Sequence, residues 1–124
     1  MNYYFPFSNM VKKVLVVDDD RGVRETTKLL LEHEGLQVYT NPGKNILEVV
    51  EELEPDVVLL DVWMEGVDGR EVCNEIKTKT HVKPKVIIMT ASCDLKNSAF
   101  SSGADDFVEK PFDIDHVVKK ISTW

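Results

Sequence analysis

Val14-Leu15-Val16-Val17-Asp18-Asp19-Asp20 sets a four-residue apolar run directly against three consecutive carboxylates. The pattern recurs down the chain. Val57-Val58-Leu59-Leu60 stops at Asp61, Val86-Ile87-Ile88-Met89 stops at Thr90, and Phe107-Val108 is followed by Glu109-Lys110-Pro111. Short runs rich in Val and Ile, separated by helix-like stretches, read as buried strands of a parallel sheet. Parallel strands point the same way, so their C-terminal ends share one edge, where open α/β sheets bind ligands. The sequence therefore gathers several carboxylates, a hydroxyl and an ammonium at one rim, which suits a divalent cation and a phosphoryl group.

Strand and helix alternate five times along the chain. The first strand is expected at Lys13–Val17, followed by a helix over Arg21–His33 with Asp20 or Asp19 as N-cap and Gly35 just past its end. A second strand, Leu36–Tyr39, precedes the turn signal Asn41-Pro42-Gly43. Ile46, Leu47, Val49, Val50 and Leu53 recur at helical spacing up to Pro55, and the third strand is Val57–Leu60. Gly66 to Gly69 reads as a loop, and Val72, Cys73 and Ile76 mark the next helix. The fourth strand, Lys85–Met89, follows Pro84; a short helix runs from Leu95 to Ser102, and the fifth strand is Asp106–Val108. Ile114, Val117, Val118 and Ile121 give an amphipathic last helix. The order predicts an α/β fold, a doubly wound five-stranded parallel sheet with right-handed crossovers and helices on both faces.

A chain of 124 residues makes one domain with a sufficient core of its own. Its net charge of −7 argues against direct nucleic-acid binding, which needs basic surface, and favours a basic patch on a partner. Cys73 and Cys93 have no metal-ligand or paired spacing and read as small semi-buried residues in a reducing compartment, the cytoplasm. No apolar stretch approaches the ~18 residues of a membrane span. Residues 1–11 read as a loose leader, without the features of a signal peptide. Its Tyr3, Tyr4, Phe5 and Phe7 are candidates for packing on the domain or on a neighbouring molecule.

Each rim residue also has an ordinary reading. A single Asp after a strand is commonly a helix N-cap, Thr90 a turn hydroxyl, and Lys110 a solvated surface residue. Three adjacent Asp are harder to place that way, because one caps and the others repel. A divalent cation relieves that repulsion, and Mg²⁺, a hard ion with oxygen ligands, suits it. Lys110 precedes Pro111, and a cis bond there would fix the direction of the lysine. His33, His81 and His116 are scattered. They read as a helix C-terminal, a loop and an exposed helix residue, not as metal or phosphotransfer groups.

In order and spacing these segments resemble the response-regulator receiver domain of two-component signalling. They are Val14 to Asp20, Pro55 to Asp61, Met64 through Asp68-Gly69, Met89-Thr90-Ala91, and Gly103 to Phe112. The resemblance covers Lys12 to Ile121, and the domain is assigned to 12–124. It implies the flavodoxin-like (βα)5 fold and makes Asp61 the phosphoacceptor. Asp19, Asp61 and the main-chain carbonyl of Trp63 would ligate Mg²⁺, with Asp18 acting through water. Lys110 and Thr90 would contact phosphoryl oxygens, and Thr90 with Phe107 would form a switch acting on the fourth helix, fifth strand and fifth helix. The donor would be a sensor histidine kinase or phosphotransfer protein. Output would pass to a partner protein, a phosphorylation-dependent dimer or an effector domain beyond this chain.

The chain also departs from the family. Glu65 stands where a proline is common, adding negative charge beside an acidic site. Trp63, two residues past the acceptor, occupies a position that tunes acyl-phosphate lifetime, and its bulk is expected to shield the phosphoryl group. Phe107 replaces a common tyrosine and lacks its hydroxyl. The Thr90–Gly103 interval is about two residues shorter than in many relatives, so the fourth helix should be short or its leading loop tight. Two other readings stand beside this one. An inactive, phosphorylation-independent interaction module is one. A haloacid-dehalogenase-type phosphatase is the other, since Asp18-Asp19-Asp20 contains a DxD, although the chain is short for that fold and has no cap insertion.

Overall fold

The computed structural model describes residues 11–124, and Met1 to Met10, including the four leader aromatics, lie outside the described residues. Strands β1 (Lys13–Val17), β2 (Gln37–Asn41), β3 (Val57–Asp61), β6 (Lys85–Thr90) and β7 (Asp106–Glu109) form one sheet in the order β2-β1-β3-β6-β7. Every neighbouring pair is parallel. Helices α1 (Arg21–His33), α2 (Ile46–Leu53), α3 (Gly69–Lys79), α4 (Lys96–Ser101) and α5 (Ile114–Ser122) connect the strands, and a 3-10 turn, Cys93–Leu95, leads into α4.

Side chains alternate across the sheet with the strand period of two. Leu15, Val17, Val58, Leu60, Val86 and Ile88 pack with Ile46 and Val50 of α2, Val72, Cys73 and Ile76 of α3, and Ala99 of α4. Val14, Val16, Val57, Leu59, Ile87 and Met89 pack on the other face with Leu31 of α1 and with Val117 and Ile121 of α5. The three central strands are therefore covered on both faces, which is why they read as unbroken apolar runs. Each fully buried Val, Leu or Ile contributes about 1.5–3 kcal/mol. The doubly wound five-stranded sheet is the one the sequence predicts, and the fold is flavodoxin-like, as the family resemblance implies.

The differences from the sequence reading are local. The second strand is shifted to Gln37–Asn41, because Asn41 pairs in register with Val17 before its side chain builds the turn. Its Oδ1 accepts from the amides of Gly43 and Lys44, at 2.6 and 2.9 Å. The expected loop from Gly66 to Gly69 is instead a small antiparallel ribbon. In it β4 (Trp63–Met64) pairs with β5 (Val67–Asp68) around Glu65-Gly66, and Gly69 already begins α3. Gly66, at φ 71°, supplies the left-handed conformation that this tight reversal needs. The cysteines differ from each other: Cys73 is fully buried between α3 and the sheet, and Cys93 is exposed. The region before Gly103 is tight, as its length predicts, with only six residues in α4.

Candidate functional site

The rim residues hang from the ends of the ladder. Beyond the paired strands, the Asp18 amide donates to the Asn41 carbonyl at 3.1 Å, the Val62 amide to Met89 at 3.0 Å, and the Lys110 amide to Thr90 at 2.8 Å. These bonds carry the sheet geometry one residue past each strand, so the functional groups sit on a rigid support. Among the described residues, Asp18, Asp19 and Asp61 form the one carboxylate group compact enough for a metal ion, with ligand oxygens within 4.8 Å of one another. Asp18 is wholly buried, Asp61 nearly so, and Asp19 exposed.

Lys110 enters from the far side of the sheet, and the Lys110–Pro111 peptide is cis. Its Nζ donates to Asp18 Oδ2 at 2.7 Å and stands 3.3 Å from Asp61 Oδ1. Burial opposes its charge, yet the hydrogen bond to Asp18 and the charges of Asp61 and Asp18 outweigh burial and hold its pKa above the ordinary lysine value. Burial also pushes the Asp61 carboxyl up, to about 6. The charge of Lys110 pulls against this, and Asp18 and Asp19 add to it. Three carboxylates facing one ammonium leave an excess of negative charge. A hard divalent cation on these oxygen donors balances it, so the donor set fits Mg²⁺.

The third aspartate has a different task. Asp20 Oδ1 accepts from the Val23 amide at 3.1 Å and caps α1, while its own amide donates to Asp18 Oδ1 at 2.9 Å. Asp20 is thus the capping member of the triplet, as its position allows, and it helps to orient Asp18. Thr90 is buried, and its Oγ1 accepts from the Ser92 amide at 3.3 Å. Phe107 is half-buried against the cluster that includes Ile88 and Leu95. Phe107 is opposite Ile88 in register and Thr90 lies two residues beyond Ile88, so both belong to the face covered by α2, α3 and α4.

Several contacts at the site are not part of the sequence reading. Gly69 passes so close to the acidic site that a Cβ on it would stand 2.1 Å from the Asp61 carbonyl oxygen. The Gly69 amide also donates to Val62 O at 2.7 Å. Arg24 donates to the Asp18 carbonyl at 2.9 Å. The Glu65 amide donates to Asp19 Oδ2 at 2.9 Å. A proline there would have no N–H to give, so the substitution that adds charge also adds a donor. The Asp68-Gly69 pair is visible in sequence as a motif, but its contacts cross between elements and leave no periodic signal. Beside Lys110, an apolar cleft of about 530 Å³ opens between α1 and the Pro111-Phe112 segment, lined in part by Val23, Thr26, Leu30 and Ala91.

Sheet order, helix placement and the carboxylate–lysine cluster at the strand ends define a doubly wound α/β domain with an acidic pocket at its rim. The chain belongs to the response regulator receiver domain family, whose model matches residues 14–122. It is accordingly a receiver domain of a two-component response regulator. A putative response regulator from Chloroflexus aurantiacus superposes with a TM-score of 0.84 at 27% identity, covering 91% of this chain and 96% of that one. Response regulator TrrA from Thermotoga maritima, solved in complex with Mg²⁺-BeF, is 33% identical over 91% of this chain and 98% of that chain, with a TM-score of 0.82. NtrX from Brucella abortus is 30% identical over 92% of this chain but only 27% of its own length, with a TM-score of 0.82. No helix among the described residues is long and apolar enough to cross a membrane.

Proposed function

We propose that Asp61 accepts a phosphoryl group from a phosphohistidine on a sensor kinase or phosphotransfer protein, and that the resulting acyl phosphate switches an output surface. The observation that carries this reading is the position of Asp61, between Lys110 Nζ at 3.3 Å and the carboxylates of Asp18 and Asp19. Asp19, Asp61 and the Trp63 carbonyl would hold Mg²⁺, with Asp18 contributing through water. When bound, the ion would neutralise the carboxylates and the phosphoryl oxygens.

The chain's own groups supply the rest. A carboxylate oxygen of Asp61 attacks phosphorus, the bond from phosphorus to the donor imidazole breaks, and the imidazole leaves. Lys110, held by Asp18, turns its remaining donors to a phosphoryl oxygen. Thr90 Oγ1 already accepts from Ser92, so its own hydrogen is available to another phosphoryl oxygen. Fixed donors of this kind stabilise the charge that develops during transfer. Drawing Thr90 inward would open space for Phe107 on the same face. That would alter α4, β7 and α5, the surface offered to an output protein, to a second receiver or to an effector domain.

In this reading, residues 12–124 are the receiver domain, 1–11 a leader, and the site cytoplasmic. The domain assists its own phosphorylation and dephosphorylation rather than turning over a separate substrate. The apolar cleft beside Lys110, with its half-exposed Leu30, is a suitable seat for the donor protein. The capping of α1 by Asp20 disfavours the DxD phosphatase reading, because that carboxylate is already engaged.

Intact mass after incubation with acetyl phosphate and Mg²⁺ tests the proposal. One added phosphoryl group is expected in the parent and none in Asp61→Asn. No addition in the parent would favour the phosphorylation-independent module or a domain that accepts phosphate only from its own kinase, and labelling retained in the variant would point to another nucleophile.

A further inference from the structure

Arg70, in the first turn of α3, joins three parts of the molecule. Its Nε and one terminal nitrogen grip Asp68 at 3.0 and 2.7 Å, and its other terminal nitrogen donates to Ser98 Oγ of α4 at 3.2 Å. Its guanidinium also lies 4.9 Å from the centroid of the Trp63 ring. Trp63 and Asp68 face each other across the ribbon that follows Asp61. One side chain therefore binds both strands of that ribbon, one through its carboxylate and the other through its indole. The side chains of Arg70 and Asp68 are only about a quarter exposed, at 25% and 26%. The hydrogen bond from Arg70 also holds the Asp68 carboxyl below the usual carboxylate range. The planar fork fits this arrangement, and a lysine would keep the charge but lose the paired grip and most of the stacking.

Trp63 is 56% exposed, and the Arg70 guanidinium lies over its ring. Trp63 stands two residues after Asp61, at the start of the ribbon that follows that strand.

We propose that Arg70 is a positioning residue that holds the Trp63 indole beside Asp61, sets the lifetime of the acyl phosphate through that ring, and ties the ring's position to α4 through Ser98. This rests on Asp61 being the acceptor. An exposed cation–π contact corresponds to a factor of about two to five in a rate. Arg70→Ala is expected to lose phosphate that much faster than the parent, approaching the rate of Trp63→Ala. Adding Arg70→Ala to Trp63→Ala should change nothing further, because two residues acting through one ring are not additive. Arg70→Lys should behave like Arg70→Ala.

The test follows dephosphorylation after labelling with acetyl phosphate and Mg²⁺ in the parent, the three single variants and the double variant. It is paired with acrylamide quenching of Trp63 fluorescence in the unlabelled proteins, with Trp124→Phe as background. Quenching should rise in Arg70→Ala and in Arg70→Lys. Equal effects of Arg70→Ala with and without Trp63, a parental lifetime in Arg70→Ala, or a parental lifetime in Arg70→Lys would each overturn the proposal. If neither acetyl phosphate nor a phosphorylated histidine protein labels the parent, the acceptor reading has failed. Quenching then still judges the clamp, and unchanged quenching in Arg70→Ala overturns it.

Discussion

Asp61 pays a folding penalty for its position. Its carboxyl is raised from 3.8 to about 6, chiefly by burial, so between those values the native state holds a proton that the unfolded chain has released. Stability must then fall as pH rises through that window. In Mg²⁺-free buffer, Asp61→Asn is expected to exceed the parent in stability above pH 6, by about 1–3 kcal/mol for a shift of this size. The advantage should close as pH falls below 4. Urea midpoints with a chelator at pH 4 and pH 7 check this, and equal midpoints at pH 7 would contradict it. Mg²⁺ added at pH 7 should stabilise the parent more than the variant, since a ligand of the native state raises stability by mass action.

At the scale of the element, two backbone details hold the site. Asp20 caps α1, and losing that side chain costs about 1 kcal/mol in typical helices. Asp20→Ala should therefore lower the urea midpoint while still taking one phosphoryl group from acetyl phosphate, and loss of labelling would place Asp20 in the chemistry. Gly69 starts α3 against the backbone of Asp61. A methyl there would meet the Asp61 carbonyl oxygen at 2.1 Å and Val62 Cα at 2.9 Å, neither of which can swing aside. Gly69→Ala is expected to cost about 1–3 kcal/mol and to slow labelling by displacing Asp61. Parental stability and labelling rate together would show that the turn can absorb the methyl.

At the scale of the whole molecule, the proposed function separates recognition from chemistry. On that reading a small phosphodonor would need only the acidic pocket, whereas a protein donor would also cover the rim. Leu30 is 45% exposed and lines the apolar cleft beside Lys110. Leu30→Asp should leave labelling by acetyl phosphate unchanged and reduce transfer from a phosphorylated histidine protein that labels the parent, by about tenfold or more. Equal loss with both donors would mean that the substitution acts on the site itself.

The apolar runs and the residues that end them determined the parallel sheet, its two covered faces and the rim on which Asp18, Asp19, Asp61, Thr90 and Lys110 gather. Periodicity is a local property, and burial on both faces of a strand writes itself into every residue of that strand. Only the tertiary structure decided that Lys110 lies closer to Asp18 than to Asp61, that the Glu65 amide serves Asp19, that Gly69 packs against the backbone of Asp61 and that Arg70 lies over the Trp63 ring. The same holds for the ribbon in place of a loop, and for one cysteine buried and the other exposed. Such contacts depend on how far apart elements settle once the core has packed, a distance that no spacing along the chain encodes.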